Sequence, residues 1–329
     1  EDYALRFTAK RARRWSLARV SNTALGAISF LALEAIGGAI TLNYGFTNAI
    51  AAIAVVSMLI FLTSVPISYY AAKYGVDIDL LTRGAGFGYI GSTITSLIYA
   101  SFTFIFFALE AAIMSSALYS LFGIPVIFGY LISSLLVIPL VTHGITLISR
   151  FQVWTQPLWI VLQLLPFIFI LASNTDVVSQ WAHYTGENAP GANGLSNTNA
   201  GGNTSAGAAE SASLNILLFG AASSVIFSLV AQICVQVDFL RFLPEPKPNQ
   251  RRQWWGALIA AGPGWIIIGA LKIMAGSFLA LLALHHGRDA AAASDPMQMY
   301  TVAFGYVTSS PQTALALAGI FVIVSQVKI

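Results

Sequence analysis

Residues 20–42 read VSNTALGAISFLALEAIGGAITL, an apolar run of membrane-crossing length that contains one charged residue, Glu34. About 17–25 apolar helical residues span a hydrocarbon core of about 30 Å. Hydrophobic residues make up 57% of the chain and charged residues only 9%, against about 25% charged in an ordinary soluble domain. The composition therefore excludes a water-soluble core and predicts an all-α, polytopic membrane protein. Eight spans are predicted, at 20–42, 47–69, 94–118, 126–141, 158–172, 214–235, 255–284 and 311–329.

The lysine and arginine residues predict how these spans are oriented. If the N-terminus is cytoplasmic and the spans alternate, thirteen of the sixteen basic residues fall in cytoplasmic segments, six of them in the N-terminal segment 1–19. An excess of Lys and Arg in cytoplasmic loops is the usual pattern in membrane proteins. We therefore expect an integral membrane protein with a cytoplasmic N-terminus, and the bacterial inner membrane is its expected location.

A polar segment without Lys or Arg, residues 174–213, divides the spans into two groups and is predicted to be a flexible external loop. Residues 20–173 hold five spans, and residues 214–329 hold three more, the first of them in the opposite orientation. This order predicts a transporter bundle of two inverted five-helix repeats, the second truncated at the end of an apolar run. Such folds have broken helices, predicted here at Gly37-Gly38 and at 220–224; close packing of small residues is the alternative.

Three charged residues lie inside predicted spans: Glu34, Glu110 and Lys272. At 1.5 Å per residue, Glu34 lies roughly 21 Å from the cytoplasmic end of its span, and Glu110 and Lys272 roughly 24–26 Å from the ends of theirs. Charges in a bilayer are costly and usually mark a cavity, a relay or a substrate site. The shared depth predicts one polar cavity, in which a glutamate binds a ligand or a proton. Lys272 has an alternative role as the structural ion-pair partner of one glutamate.

The third span places an aromatic ring beside one of these carboxylates. Phe106 precedes Glu110 by one helical turn on the same face, an arrangement suited to a flat ligand that carries N–H groups. A lipid-facing position is the alternative for Phe106. In the sixth span, Ser223, Ser224 and Gln232 are candidate ligand contacts or, alternatively, helix-packing residues.

The motifs of other functional classes are missing from the sequence. It has no catalytic triad, P-loop or zinc-ligand spacing, and the single cysteine, Cys234, excludes an intrachain disulfide and a cysteine-based metal site. No basic patch has the interleaved aromatic residues expected of nucleic-acid binding. We therefore expect no enzyme activity, no resident cofactor and no nucleic-acid partner.

Three motifs suggest a family. Residues 69–88 (YYAAKYGVDIDLLTRGAGFG), 156–159 (QPLW) and 238–244 (DFLRFLP) occur in an order and spacing that resemble the nucleobase:cation symporters, which include purine/cytosine permeases and hydantoin/allantoin transporters. The resemblance covers most of the chain. It implies twelve helices with a five-plus-five inverted repeat. It also implies a heterocyclic base between helices one, three, six and eight, and coupling to sodium or protons.

The resemblance also implies roles for individual residues. Phe106 stacks on the base and Glu110 hydrogen-bonds it, at positions where the family has Trp and Gln. The carboxylate favours a protonatable site. In the first helix, Glu34 follows sodium-binding backbone carbonyls, here those of Phe30 and Leu33. The matching hydroxyl residue of the eighth helix is Ser325.

Two function classes follow from these observations. The first is a symporter that moves a purine-, pyrimidine- or hydantoin-like ring by alternating access, coupled to Na⁺ on the first-helix carbonyls and Ser325, or to H⁺ on Glu110 or Glu34. The alternative is a sensor, in which the same bundle is the membrane input module of a signalling protein. A channel is a weaker third reading, since no selectivity sequence is present. The expected partners are a small heterocycle and the lipid bilayer.

Overall fold

The structure, a computed structural model, describes residues 7–142, 144–173, 176–187 and 213–328. In these ranges the chain forms helices and no strands. Three predicted segments lie partly outside the described residues. These are the N-terminal segment 1–19 (residues 1–6), the loop 174–213 (most of its residues) and the last span 311–329 (residue 329). The helices are α1 Leu17–Gly26, α2 Ala32–Tyr74, α3 Ile78–Thr82, α4 Gly88–Phe122, α5 Val126–Thr142, α6 Ile145–Ser173, α7 Asp176–Ala182, α8 Ile216–Phe227, α9 Gln232–Leu240, α10 Arg251–Ala261, α11 Trp265–His285, α12 Ala290–Ala293, α13 Pro296–Phe304 and α14 Pro311–Val327.

Several of these helices have the length and composition of membrane spans. Large apolar side chains such as Phe104 and Trp154 are exposed on the outside of the described bundle, where a lipid environment would cover them. The chain is therefore an all-α protein with the character of an integral membrane protein, as the composition predicts. Five helical stretches are long and apolar enough to cross a membrane: Ala32–Tyr74, Ile78–Phe122, Thr146–Ser173, Ile216–Leu240 and Trp265–His285.

The first two predicted spans share the long helix α2. Its 43 residues would extend about 65 Å as a straight helix, roughly twice the thickness of a hydrocarbon core. Gly45 interrupts it with φ 79° and ψ 164°, a conformation that side-chain-bearing residues rarely adopt. The interruption falls in the gap predicted between spans 20–42 and 47–69, so α2 provides the end of one span and the whole of the next.

Three predicted boundaries are wrong. The span 255–284 is two helices, because Pro263 lacks the N–H that a continuous helix needs and lies between Gly262 and Gly264. The fifth span begins at Ile145 and not at 158. Residues 176–182, expected in a flexible loop, form α7, so that part of the loop is helical.

The helix breaks also differ from the prediction. The first span is broken between Gly26 and Ala32, not at Gly37-Gly38. The sixth span continues as α8 through 220–224 and changes to a 3₁₀ turn only at Ser228–Ala231. Gly37 and Gly38 instead let α2 approach α11 closely: a Cβ built on Gly37 would collide with the backbone carbonyl of Ile273. The close-packing alternative therefore describes these glycines.

We expect Gly37→Ala to destabilise the protein by about 1–3 kcal/mol, the usual cost of overpacking a tight interface. The matched control is Gly220→Ala in α8, where an added Cβ would meet no atom within 4 Å. Thermal unfolding in detergent should show a lower Tm for Gly37→Ala and an unchanged or higher Tm for the control, because alanine is the better helix former. Equal Tm values for the two variants would contradict the close α2–α11 packing.

The break in the first span, between α1 and α2, is surrounded by three other helices. α1 packs against α6, α2 against α4, and α14 against both α4 and α6. Around the break, Ile28, Leu31 and Leu33 are buried in the core. The interrupted backbone is thus held in the interior of the bundle, where non-helical backbone at membrane depth is tolerated.

Candidate ligand cavity and buried ion pair

The carboxylate of Glu110 caps the second half of the broken first span. Its Oε1 accepts a 2.6 Å hydrogen bond from the backbone N–H of Ala32, the first residue of α2. A carboxylate at a helix N-terminus satisfies a free N–H and interacts favourably with the helix dipole. The second oxygen, Oε2, accepts a hydrogen bond from Nε2 of Gln326 in α14. Glu110 therefore links α4, α2 and α14 at one point.

A cavity of about 450 Å³ lies beside Glu110. This volume falls in the range of small-molecule sites, which are largely apolar with a few convergent polar groups. Four of the predicted site residues line it: Phe30, Phe106, Glu110 and Gln232. The structure therefore brings together, on one cavity, predicted residues from the first, third and sixth spans. Other polar residues, which were not predicted site residues, also line it, namely Tyr99, Thr103, Ser133, Gln152, Asp238, Arg241 and Gln326.

Aromatic rings form one wall of this cavity. The ring of Phe106 packs edge-on against Phe30, with centroids 5.8 Å apart, and lies 4.4 Å from the ring of Phe102. By contrast, Phe104 on the same helix has 73% of its surface exposed and does not line the cavity. Phe106 is thus a half-buried cavity residue, whereas Phe104 occupies the lipid-facing position that was the alternative for Phe106.

Three glutamines supply amide groups around the same cavity: Gln152, Gln232 and Gln326. Gln152 donates from Nε2 to the backbone carbonyl of Lys328 at 3.1 Å, while its buried Oε1 has no hydrogen-bond partner among the described residues. A buried acceptor without a partner is costly, and a ligand N–H would satisfy it. Gln152 was missed because it precedes the predicted span 158–172. Gln326 was missed because only its neighbour Ser325 fitted the family motif.

Glu34 and Lys272 form an ion pair away from this cavity. Nζ of Lys272 lies 2.6 Å from Oε1 of Glu34, and both side chains are almost completely buried. The same oxygen accepts hydrogen bonds from Nε2 of Gln163 and the hydroxyl of Tyr300, each at 3.3 Å. Glu34 is not among the cavity-lining residues, so the structure does not bring it together with Phe106 and Glu110. The carboxylate is enclosed because α6, α11 and α13 all converge on α2 at this point.

The two serines of the sixth span do not contact the cavity either. Ser224 is exposed and its hydroxyl donates to the backbone carbonyl of Ala221, 2.8 Å away in its own helix. The buried hydroxyl of Ser223 has no partner among the described residues, but Ser223 does not line the cavity. Because α8 runs unbroken through these positions, their hydroxyls stay outside the space around Glu110. The predicted ligand contacts of Ser223 and Ser224 therefore have no counterpart in the lining of this cavity.

The residues expected to bind a cation lie around the helix break. Ser325 accepts a 3.1 Å hydrogen bond from Nε1 of Trp159 on its Oγ, and its backbone carbonyl accepts one from the hydroxyl of Ser29, within the break, at 3.3 Å. In a continuous helix, the N–H of Ala32 would donate to the backbone carbonyl of Ile28. Here it donates to Glu110, so the Ile28 carbonyl lacks this donor. Backbone carbonyls and a serine hydroxyl are oxygen donors that suit a hard cation.

A metal centre of the more usual kind is not seen in the described part of the chain, which brings together no group of three or more His, Cys, Asp or Glu residues that could hold an ion. Comparisons of the chain with protein-family models, curated proteins and solved structures found no match. The cavity and its surroundings are therefore the features that bear on function.

Proposed function

We propose that the protein is a secondary-active, cation-coupled symporter that moves a nucleobase-like heterocycle by alternating access. The observation that supports this most is the position of the cavity. It lies at an interrupted transmembrane helix and combines a phenylalanine wall, a buried carboxylate and three amides. The five-plus-five inverted repeat, the bacterial inner membrane and the cytoplasmic N-terminus are parts of the same proposal.

The cavity chemistry suits a flat ring of the purine, pyrimidine or hydantoin class. Phe106 offers a ring face for stacking, and Glu110 can accept hydrogen bonds from ring N–H groups. The amides of Gln152, Gln232 and Gln326 can donate to ring carbonyls or accept from further N–H groups. Because the cavity places a carboxylate where the ligand would lie, anionic rings are disfavoured relative to neutral ones.

Two coupling schemes fit the surroundings of the cavity. In the first, Na⁺ is held by backbone carbonyls around Phe30 and Leu33 and by the Ser325 hydroxyl. In the second, a proton is carried by Glu110, which faces the ligand space, in preference to Glu34, which is already paired with Lys272. Either ion would bind beside the helix break, where Glu110 links α2 to α14 and Ser29 bonds to Ser325, so its arrival would alter these links.

Uptake into proteoliposomes tests the proposal directly. Radiolabelled uracil, cytosine, adenine, hypoxanthine and a hydantoin would be offered with an imposed sodium gradient, an imposed proton gradient, or neither. We expect saturable uptake of at least one ring compound that collapses when an ionophore removes the coupling gradient. Flux that is independent of both gradients and does not saturate would rule out a symporter. Tight binding without uptake would favour the sensor.

We expect Phe106→Ala to weaken ligand binding by about 1–2 kcal/mol, or roughly 5- to 30-fold, since stacking of a base on an aromatic side chain contributes about 1–3 kcal/mol. The matched control is Phe104→Ala, which removes an exposed ring from the same helix, two residues away. Isothermal titration or competition binding on both purified variants measures the effect. Unchanged affinity in a well-folded Phe106→Ala variant would refute the stacking role.

A further inference from the structure

A second concave site lies at the basic end of the bundle, apart from the Glu110 cavity. It has a volume of about 520 Å³ and is formed by the segment before α1, the end of α2, the loop before α10 and the first turns of α10. Because α2 is a membrane-crossing helix, its last residues lie near a membrane surface. The site is lined by Arg13, Tyr69, Ala72, Lys73, Glu245, Pro246, Lys247, Pro248, Arg251, Trp254 and Trp255.

The charge around this site is unbalanced. Four basic side chains line it, and the one acidic residue among the described lining, Glu245, already lies 2.6 Å from Lys10. In the described part of the chain, Lys73, Lys247 and Arg251 have no carboxylate within ion-pair distance. Several cations of like charge around one concave space repel one another, and an anion bound between them would relieve that repulsion.

One of the four cations is held in place by the fold. Arg13 is only 8% exposed, and its Nε and Nη1 donate to the backbone carbonyls of Thr8 and Ala72 at 3.2 and 2.9 Å. Burial lowers the pKa of the Arg13 guanidinium, while the negative charge of Glu245 acts in the opposite direction. Arg13 therefore contributes a fixed, desolvated positive charge to the wall of the site.

The remaining wall is aromatic. Tyr69 stacks on Trp255 with ring centroids 5.6 Å apart and planes within 5°, and Nζ of Lys73 lies 5.7 Å from the Tyr69 ring centre. Nε1 of Trp254 donates to the carbonyl of Pro244 at 2.8 Å, which fixes the indole. Tryptophan and tyrosine are enriched at the level of lipid headgroups, where one side of the ring is apolar and the other is hydrated.

The start of α10 adds a further positive feature. Its first turn has no acidic residue, and no side chain caps its N-terminus. The backbone N–H groups and the dipole at a helix N-terminus favour negative charge, which the first turn of α10 does not provide. An anion in the site would lie at the end of the helix where it is most stabilised.

We propose that this site binds the phosphate group of an anionic ligand, with the headgroup of an anionic phospholipid as the expected source. The basic side chains would contact the phosphate oxygens, and Trp255 and Tyr69 would pack against the glycerol and the first acyl carbons. Free phosphate or a soluble phosphate ester shares the same chemistry, and the experiment distinguishes the two sources. The inference does not depend on the transport proposal.

The experiment measures ligand binding by the full chain in zwitterionic lipid nanodiscs. Native mass spectrometry and thermal shift would be recorded with added phosphatidylglycerol, with added phosphatidylcholine and with inorganic phosphate. The test variant is Lys73→Gln with Lys247→Gln, and the matched control is Arg11→Gln with Arg252→Gln. Each removes two exposed positive charges from the same end of the molecule, but neither control residue lines the site. Arg13 is left intact because its hydrogen bonds hold the N-terminal segment.

We expect saturable binding of phosphatidylglycerol that weakens about 25-fold in the test variant, at roughly fivefold per basic side chain near an anionic surface. The control variant should change it by less than threefold. Binding of inorganic phosphate with the same dependence on the variants also supports the site and identifies free phosphate as a source. Equal weakening by both variants, or phosphatidylcholine binding as well as phosphatidylglycerol, would overturn the proposal.

Discussion

Lys272→Met should lower the free energy of unfolding by about 3–5 kcal/mol, the usual cost of breaking a buried ion pair from one side. The substitution keeps an unbranched side chain of similar shape but removes the charge that lies 2.6 Å from Glu34. The Glu34 carboxylate would then be charged and buried, and the side chains that still donate to it, among the described residues, are those of Gln163 and Tyr300. Denaturant or thermal unfolding in detergent measures the loss.

The chain provides a matched control in a second Lys–Glu pair of the same length. Nζ of Lys10 also lies 2.6 Å from a glutamate, Glu245, but both side chains are at least half exposed. Exposed pairs contribute about 0–1 kcal/mol because water screens the attraction. Lys10→Met should therefore have little effect on the Tm, and the difference between the two variants reports the burial of the Lys272–Glu34 pair.

A second substitution tests which glutamate Lys272 neutralises. In the Lys272→Met background, Glu34→Gln should restore most of the lost stability, because it removes the unpaired charge and keeps an oxygen for Gln163 and Tyr300. Glu110→Gln should not restore it, since Glu110 is bound by Ala32 and Gln326 instead. A coupling energy near zero between Lys272 and Glu34 in this double-mutant cycle would show that the pair does not stabilise the fold.

The ion pair also illustrates how far the sequence can be interpreted. Charge in an apolar run is visible without a structure, so Glu34, Glu110 and Lys272 stand out at once. The sequence does not show that Glu34 is paired with Lys272 while Glu110 lines the cavity, because this depends on which helix faces meet. Tyr300, which donates to Glu34, lies in a segment predicted to be an external connection, where no sequence feature indicates a buried hydroxyl.

The position of the helix break was mispredicted for a similar physical reason. Glycine permits both a bend and a close helix contact, so Gly37-Gly38 and Gly220 could be read either way. A tertiary contact accompanies the interruption of the first span. The carboxylate of Glu110, 78 residues further along the chain, accepts a hydrogen bond from the backbone N–H of Ala32. A single sequence shows the carboxylate, but it does not show that its hydrogen bond ends on the backbone of another helix.

Glu110→Ala should cost more function than any other change at the cavity. It removes the cap of α2, which typically contributes about 0.5–2 kcal/mol, and leaves Gln326 without its acceptor. It also removes the charged acceptor for ligand N–H groups, worth about 1.5–3 kcal/mol, or roughly 10- to 100-fold in affinity. We expect a lower Tm and nearly complete loss of uptake. Wild-type affinity in this variant would place the ligand elsewhere.

Glu110→Gln separates the structural role of this residue from proton coupling. The introduced amide keeps an oxygen for the Ala32 N–H, and rotation of the Gln326 amide would let its oxygen accept from the new NH₂ group. We therefore expect stability within about 1 kcal/mol of the wild type and retained ring binding.

Since an amide does not titrate, uptake by the Glu110→Gln variant should lose its dependence on external pH if Glu110 carries the coupled proton. Glu187→Gln, at an exposed carboxylate away from the cavity, is the control. The same pH profile in Glu110→Gln and in the wild type would exclude Glu110 as the proton carrier and leave the proposed cation site at Ser325, or a proton on Glu34, to couple transport.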